Sequence, residues 1–486
     1  LLASSAASDV YKRQIMAVAI RLLIDHNCTQ KEINACLAKS DEWHEKSRKN
    51  ADKIIKNPGE LSSIFSSYDS QESFCLLIVL INHLDGLLDF SSDTSISYFM
   101  TDPDIVLSPM VKLNTNSDIT KIELFPRYPC TWKKSKVYNG IKSIMQRYSY
   151  IDTNQNKEYK AQHYILKENP LSGKKFLRIA VSPYTNAHVL GIRDICNGKQ
   201  QNVFQITGIG SDNLGDNVRD GYYLNQQGMI DRLKACIQKA SEQDIDILIF
   251  PEMLGSPAIV QEGLLKMLEL EYSTPEFAKP FMVLFPTVWA KNAEKCTNSL
   301  DIGIAGAIAD GEGVSASFVQ QKQNAYLKRE ESFSGKLEDI TGNGIVNVLH
   351  IPALGRVVFP ICADFLTDDY RKFLMEELNP SLILCPSFSQ GFDEFIQSTA
   401  LSGLNRCHII WCNSCAAIHH YGEWSPEKFN YNDICCAGIA GCNREYAPIK
   451  PTAECGGKCS KKYCLFYIDI PIEKKKTSSC SWKHLY

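Results

Sequence analysis

Three side chains of this sequence, a thiol, a carboxylate and an ammonium group, are of the types that nucleophilic catalysis needs. Cys362 ends an apolar, β-branched run within GRVVFPICADFL, residues 355–366, and Glu252 directly follows the apolar residues LIFP. Lys322 lies between them along the chain, in QQKQN, and Lys328 is a second candidate for the cation. A thiolate is a good nucleophile, a neighbouring cation lowers the pKa of a thiol, and a carboxylate can take and return the proton. These side chains could therefore form and resolve a covalent acyl intermediate.

Buried strands must deliver these side chains, because ligands of open α/β sheets bind beyond the carboxyl ends of the strands. Apolar runs with strand character recur along the chain, at residues 174–185, 244–254, 281–290, 355–362, 381–388, 407–418 and 464–470. Helical spacing predicts helices at 226–243, 367–378 and 392–405, and a hairpin is predicted from 299–310 and 315–326. This alternation predicts an α/β fold over residues 173–472.

The segments outside this range carry no recognisable chemistry. Residues 1–14, LLASSAASDVYKRQ, lack an initiator methionine and resemble a sequencing or assembly scar, which leaves open whether the native chain extends upstream. Residues 15–172 predict a smaller, mainly helical N-terminal region of unknown role, with a capping box at Thr29 and Glu32. Residues 473–486 predict a basic and polar tail.

Composition and charge exclude several classes of protein. The net charge of −3 gives no general attraction to nucleic acid, although the partners of the N-terminal region stay open. The sequence has no apolar run of about 18 residues, so no membrane span is predicted. The 19 cysteines come without a secretory signal, which favours reduced, buried thiols and a cytoplasmic protein over a disulfide-rich secreted one.

The three candidate side chains and the segments around them resemble the nitrilase, or carbon–nitrogen hydrolase, superfamily over about residues 174–472. The motifs that carry the resemblance are LIFPE, QQK, GRVVFPICAD, LILCPS and the run QSTALSGLNRCHIIWCNSC. The resemblance implies a four-layer α-β-β-α sandwich that needs no cofactor and assembles as a homodimer or higher homo-oligomer. It implies that Cys362 is the nucleophile, that Glu252 is the base, and that Lys322 stabilises the oxyanion.

The same resemblance implies further site residues. The family places a second glutamate eight positions after the lysine, and Glu330 stands at that distance from Lys322, which favours Lys322 over Lys328. Nitrile-converting members follow the cysteine with Trp-Glu, so the Ala-Asp pair found here favours a small amide-type substrate, cleaved through a thioester. The residues expected to contact that substrate are Asp364, Ser387 and Phe388.

Two alternatives stay open. The nitrilase-like domain could be a regulatory or assembly module of a larger multidomain protein, for example one fused to a reverse transcriptase in phage defence. Four cysteines near a Gly-Gly pair are candidate zinc ligands, although their spacings match no standard pair, and we expect no bound metal. These cysteines are Cys442, Cys455, Cys459 and Cys464.

Overall fold

A computed structural model describes much of the chain, including the segments that carry Glu252, Lys322 and Cys362. The described residues are 19, 39–57, 60, 63–64, 70–87, 110–112, 123–126, 148–151, 158–166, 169–183, 190–195, 203–209, 226–273, 279–292, 295–310, 313–328, 336–351, 354–378, 380–389, 393–402, 407–414, 437–440, 446–449, 463–471 and 483–485.

The secondary structure is mixed, with helices between and beside many short strands. The helices are α1 (Asp41–Lys56), α2 (Ser70–Leu87), α3 (Gln226–Glu242), α4 (Pro257–Ser273), α5 (Ala363–Leu366), α6 (Asp368–Lys372), a π-helix (Phe373–Leu378) and α7 (Asp393–Ser402). The strands are β1 (Met110–Lys112), β2 (Glu123–Pro126), β3 (Tyr148–Ile151), β4 (Lys160–Leu166), β5 (Phe176–Val181), β6 (Leu190–Ile195), β7 (Val203–Ile209), β8 (Ile247–Ile249), β9 (Met282–Leu284), β10 (Val288–Asn292), β11 (Lys295–Ile304), β12 (Ala309–Asp310), β13 (Gly313–Val314), β14 (Phe318–Gln321), β15 (Leu327–Lys328), β16 (Lys336–Glu338), β17 (Ile345–Ile351), β18 (Gly355–Val358), β19 (Leu382–Pro386), β20 (His408–Cys412), β21 (Ala437–Ala440), β22 (Tyr446–Ile449), β23 (Leu465–Pro471) and β24 (Lys483–Leu485).

By their contacts, the described residues fall into two compact units. The first unit spans 1–107, 114–156 and 352–355, and its described elements include α1 and α2. The side chain of Ser40 caps α1 by accepting a hydrogen bond from the backbone N–H of Trp43 at 3.2 Å. This helix begins with acidic residues and ends with lysines, the arrangement that the helix dipole favours. Local capping and charge therefore favour α1, whose buried residues are Ser47, Ala51 and Ile54.

The second unit contains two large sheets, in which the parallel strands β8, β9, β19 and β20 are buried over their whole length. One sheet has the order β1-β4-β17-β18-β19-β20-β21-β22, with β18, β19 and β20 parallel. The other has the order β10-β11-β9-β8-β5-β23-β24, with β5, β8 and β9 parallel and β14 added beside β11. Strands covered on both faces read as continuous apolar runs, which is the pattern that the sequence shows.

Helices α3 and α4 cover one face of the second sheet. Leu233, Cys236 and Ile237 of α3 are buried in the same core as Leu264 of α4. The helix layer packs closely there, since a Cβ atom at Gly263 would lie 2.4 Å from the side chain of Phe285. The α/β character predicted for residues 173–472 is confirmed, with parallel and antiparallel strands in the same sheets.

Strand ends of the two sheets meet through hydrogen bonds. The backbone N–H of Glu252, beyond β8, donates to the carbonyl oxygen of Ser387, beyond β19, at 3.2 Å. The thiol of Cys412 donates to the carbonyl oxygens of Ser182 and Ile249 at 3.4 and 3.5 Å. The carboxyl ends of parallel strands from both sheets therefore come together at one place in the second unit.

Three predicted elements differ from the structure. The strand predicted at 281–290 is divided into β9 and β10, because Pro286 cannot donate to a ladder and the N–H of Thr287 turns to the carbonyl oxygen of Pro251. The helix predicted at 367–378 is divided into α6 and the π-helix. The N-terminal region, predicted as mainly helical, also supplies β1 and β4 to the first large sheet, where β4 pairs in parallel with β17.

The capping box predicted at Thr29 and Glu32 lies outside the described residues. Among the helices that the structure does describe, none has the length and apolar character to cross a bilayer. The described cysteines form no disulfide with one another, and all of them except Cys464 are buried.

Candidate active site

Lys322 is the centre of a fully buried cluster of charges. It directly follows β14, and its backbone N–H donates to the carbonyl oxygen of Asn298 in β11 at 2.8 Å. Its Nζ lies 2.7 Å from Glu252 Oε1 and 2.6 Å from Glu338 Oε2. The side chains of Lys322, Glu252 and Glu338 are all 0% exposed to solvent. The hairpin of β11 and β14 thus delivers a cation to the carboxylate that follows β8.

The second carboxylate on Lys322 is Glu338, which the sequence did not single out. Glu338 ends β16 in a small four-stranded sheet of order β15-β16-β7-β6, and its Oε2 also accepts from the N–H of Tyr326 at 3.1 Å. Glu330, predicted for this role, lies outside the described residues. The only local signal for Glu338 is an acid in the short run KLE, and nothing in that run indicates that the acid is buried.

Asn298 links the two carboxylates, and it too was missed. Its Nδ2 donates to Glu252 Oε1 at 2.8 Å and lies 3.5 Å from Glu338 Oε1. The side chain is completely buried. Asn298 stands in the middle of β11, where an amide in an otherwise alternating strand is a weak signal. Its importance comes from the register of the sheet, which places it beside both glutamates.

Cys362 occupies a sharp turn between β18 and α5. Its φ is +46°, in the left-handed region, which costs a residue other than glycine about 1–3 kcal/mol. Two hydrogen bonds hold the turn, from the N–H of Cys362 to the carbonyl oxygen of Pro386 at 2.9 Å and from the N–H of Phe365 to the carbonyl oxygen of Cys362 at 3.0 Å. Such strain is typical of residues that a fold aims at a reaction site.

The Cys362 thiol interacts with both members of the Glu252–Lys322 pair. A hydrogen-bonding interaction with the thiol offsets part of the rise that burial causes in the pKa of Glu252, and the charge of Lys322 offsets part of the rise that burial causes in the pKa of the thiol. Glu252 Oε2 is buried, and it makes no hydrogen bond of normal geometry with any described residue. The structure therefore brings together Cys362, Glu252 and Lys322, three of the four predicted catalytic residues. Oε2 of Glu252 has no hydrogen-bond partner among the described residues.

Burial sets the protonation states of this cluster. Burial and the charge of Glu252 raise the pKa of Cys362 well above its ordinary value, so the resting thiol keeps its proton. Burial also raises the pKa of Glu252, while the charge of Lys322 opposes this. Burial on its own would lower the pKa of Lys322, but the charges of Glu252 and Glu338 outweigh it and hold that pKa well above the usual value. The lysine is consequently a permanent cation.

Asp364 ties the cysteine turn to the segment after Lys322. Its Oδ1 accepts from the backbone N–H groups of Gln323 and Asn324 at 2.9 and 2.7 Å, and its Oδ2 accepts from the N–H of Ile361 at 3.1 Å. Burial raises the pKa of Asp364 to about 7. Both oxygens are engaged by the protein itself, so the contacts of Asp364 are those of a residue that positions Lys322 and Cys362. Its predicted role in substrate binding stays a prediction.

Ser387 and Phe388 follow β19 directly and lie beside the Cys362 turn. The Ser387 hydroxyl donates to the carbonyl oxygen of Cys412 at 3.1 Å and is fully buried. A backbone hydrogen bond from Phe388 offsets part of the rise that burial causes in the pKa of the Cys362 thiol. Phe388 is thus next to the sulfur through its main chain, and substrate contact by the two side chains stays a prediction.

The structure describes one of the four candidate zinc ligands, Cys464. Cys442, Cys455 and Cys459 lie outside the described residues, and Cys464 is a half-buried thiol immediately before β23. Within the described part of the chain, no group of histidine, cysteine and acidic side chains has the arrangement of a metal site.

A scan of the chain against models of known protein families gives no match, and a search of curated proteins gives none either. The functional assignment therefore depends on the side chains gathered at these strand ends.

Proposed function

We propose that the protein hydrolyses an amide-type carbon–nitrogen bond, other than a peptide bond, through a thioester on Cys362. One observation carries this proposal: Lys322 is held between Glu252 and Glu338, while the thiol of Cys362 interacts with Glu252 and with the charge of Lys322. A nucleophile, a base and a fixed cation are thereby adjacent in a buried site, which is the set that acyl transfer needs.

The first half of the reaction forms the acyl-enzyme. Glu252 takes the thiol proton as the sulfur of Cys362 attacks the carbonyl carbon, and the electron pair of the carbonyl bond moves to oxygen. Lys322 and the N–H of Ala363, the first N–H of α5 and so without an acceptor inside the helix, stabilise the oxyanion. Glu252 then protonates the leaving nitrogen, the carbon–nitrogen bond breaks, and ammonia or an amine departs.

The second half releases the acid. Glu252, again a carboxylate, removes a proton from water as the water oxygen attacks the thioester carbonyl. The oxyanion collapses, the carbon–sulfur bond breaks, and the thiolate takes the proton back from Glu252. Glu338 keeps Lys322 positioned and charged throughout. The finer architecture that goes with this function is a four-layer α-β-β-α sandwich, assembled as a homodimer or larger homo-oligomer.

The test is mass spectrometry of the intact protein after incubation with a library of small amides. We expect an acyl adduct on Cys362 that disappears in Cys362→Ala and persists in Cys464→Ala, because Cys464 is the least buried of the described thiols and so controls for non-specific acylation. Amide turnover that is unchanged in Cys362→Ala would refute the proposal. A Cys362 thiol that is inert to every electrophile would instead support the alternative of a regulatory or assembly module.

A further inference from the structure

Two buried polar atoms beside the triad lack a hydrogen-bond partner among the described residues. They are Oδ1 of Asn298 and Nε1 of Trp289, the first an acceptor and the second a donor. Buried polar groups are almost always paired in native proteins, because an unpaired one forfeits the hydrogen bonds that it made with water. A ligand that supplies one donor and one acceptor would satisfy both atoms.

Both atoms lie on the same wall of the site. Trp289 in β10 is directly opposite Asn298 in β11, and residues opposite each other in an antiparallel pair share a face of the sheet. That face is the one on which Asn298 reaches Glu252 at 2.8 Å.

The orientation of the Asn298 amide follows from its neighbours. Its Nδ2 faces Glu252 and Glu338, because an amide oxygen in that place would be repelled by two carboxylates. Oδ1 is consequently the atom left for another partner. An anionic ligand group is disfavoured here, since Oδ1 is an acceptor and the ammonium group of Lys322 is already shared by both glutamates.

We propose that Trp289 and Asn298 form a subsite that binds an amide group in the leaving portion of the substrate. The indole N–H of Trp289 donates to the amide oxygen, and Asn298 Oδ1 accepts from the amide N–H. This inference rests on the proposed function, in which Glu252 protonates the leaving nitrogen. The side chain in contact with Glu252 and its neighbour across the strands therefore lie on the leaving-group side. The favoured substrates are N-acyl compounds whose amine carries a carboxamide of its own.

The subsite can be tested by labelling Cys362 with two matched electrophiles. Chloroacetylglycinamide carries the second amide, and N-propylchloroacetamide has similar length without it. In each case the sulfur displaces chloride to form a thioether, the thiol proton goes to Glu252, and the label is read by mass spectrometry. We expect the glycinamide probe to have a kinact/KI about 10-fold higher, the ratio that one or two buried hydrogen bonds provide.

Trp289→Phe should lower this ratio to about 3, because it removes one of the two proposed hydrogen bonds and keeps an aromatic ring. Trp411→Phe makes the same chemical change on β20, where the indole stacks on Phe395, and it should keep the wild-type ratio. A third probe needs no variant: the N,N-dimethylamide of chloroacetylglycine lacks the N–H that Asn298 accepts and should lose most of the advantage. This probe decides the question if Trp289→Phe fails to fold.

Three results would overturn the subsite. The wild-type protein could label equally fast with the glycinamide and propyl probes, the dimethylamide could retain the full advantage, or the two tryptophan variants could change the ratio equally. Each of these leaves a reactive Cys362 and the proposed function in place. If Cys362 reacts with none of the probes and also resists iodoacetamide, the proposed function is refuted and the subsite with it.

Discussion

Replacing the second glutamate on the lysine, Glu338→Gln, should make the Cys362 thiol ionise at lower pH. Glu338 and Glu252 share the Nζ of Lys322, and the charge of Glu338 raises the pKa of Glu252. Glu252 and the thiol share a proton, so the measured pKa belongs to the pair. Glu338→Gln removes one of two negative charges around a single cation while keeping the size and one acceptor oxygen of the side chain.

The size of the effect follows from the geometry. The two carboxylate oxygens are 2.7 and 2.6 Å from the same nitrogen. They therefore lie no more than about 5 Å apart, and at an effective dielectric constant of about 20 two unit charges at that distance repel by about 3 kcal/mol. That energy corresponds to about two pK units, of which relaxation of the site removes a part. We expect the apparent pKa of the Glu252–Cys362 pair to fall by about one unit or more.

The assay is the rate of Cys362 alkylation by iodoacetamide, followed by mass spectrometry from pH 5 to pH 10. The rise of the rate with pH should move to lower pH in Glu338→Gln. The matched control is Glu262→Gln, because Glu262 pairs with Lys234 on the surface between α3 and α4 and is more than a third exposed. A profile that stays in place, or that moves to higher pH, would refute the charge balance argued for this site.

Two further predictions concern stability. Lys322→Met leaves two buried carboxylates without their cation and should lower the free energy of unfolding by about 3–5 kcal/mol. Lys234→Met removes the cation of an exposed ion pair and should lower it by less than about 1 kcal/mol. Both values are measured by urea denaturation. His163 and His350 are buried in contact at 3.0 Å, and burial holds both pKa values well below the ordinary value. The unfolded chain then binds more protons, so stability is fully present above about pH 6.5 and is lost as the pH falls below it. The urea midpoint of the wild-type protein should drop between pH 7 and pH 5, and that of His350→Leu should drop less. An equal drop in the two proteins would contradict the assignment of this pH dependence to the buried histidines.

Local pattern predicted the elements that carry Glu252 and Cys362, and it could do so for a physical reason. Both residues follow short apolar runs that are buried on both faces, and such runs are visible in the sequence without knowledge of the partner strands. The helix over 226–243 was predictable for the same kind of reason, since one face of α3 is apolar at helical spacing. The division of the strand at Pro286 depended on a tertiary hydrogen bond and was missed.

The positions of the remaining site residues are set by strand register and by the path of the chain between strands. The local sequence pattern encodes neither of these. Asn298 and Trp289 matter because β10 and β11 place them opposite each other and beside Glu252. Glu338 reaches Lys322 only after the chain has formed β15 and entered β16, at a sequence distance that the family pattern did not predict. Contacts of this kind require the pairing of whole strands, so a single sequence carries little signal for them.

In the proposed reaction charge moves within the buried cluster, and the net charge of the cluster and the bound substrate stays constant. At rest Lys322 is paired with both Glu252 and Glu338. When Glu252 takes the thiol proton, it becomes neutral and its electrostatic attraction to the Lys322 ammonium group weakens. The negative charge passes at the same time through the sulfur of Cys362 to the carbonyl oxygen of the substrate. Lys322 can then exchange one partner for another, and Glu338 holds it in place during the exchange. Because a charge in a dry site costs far more than in water, a swap at constant net charge explains why a catalytic lysine can be wholly buried between two acids.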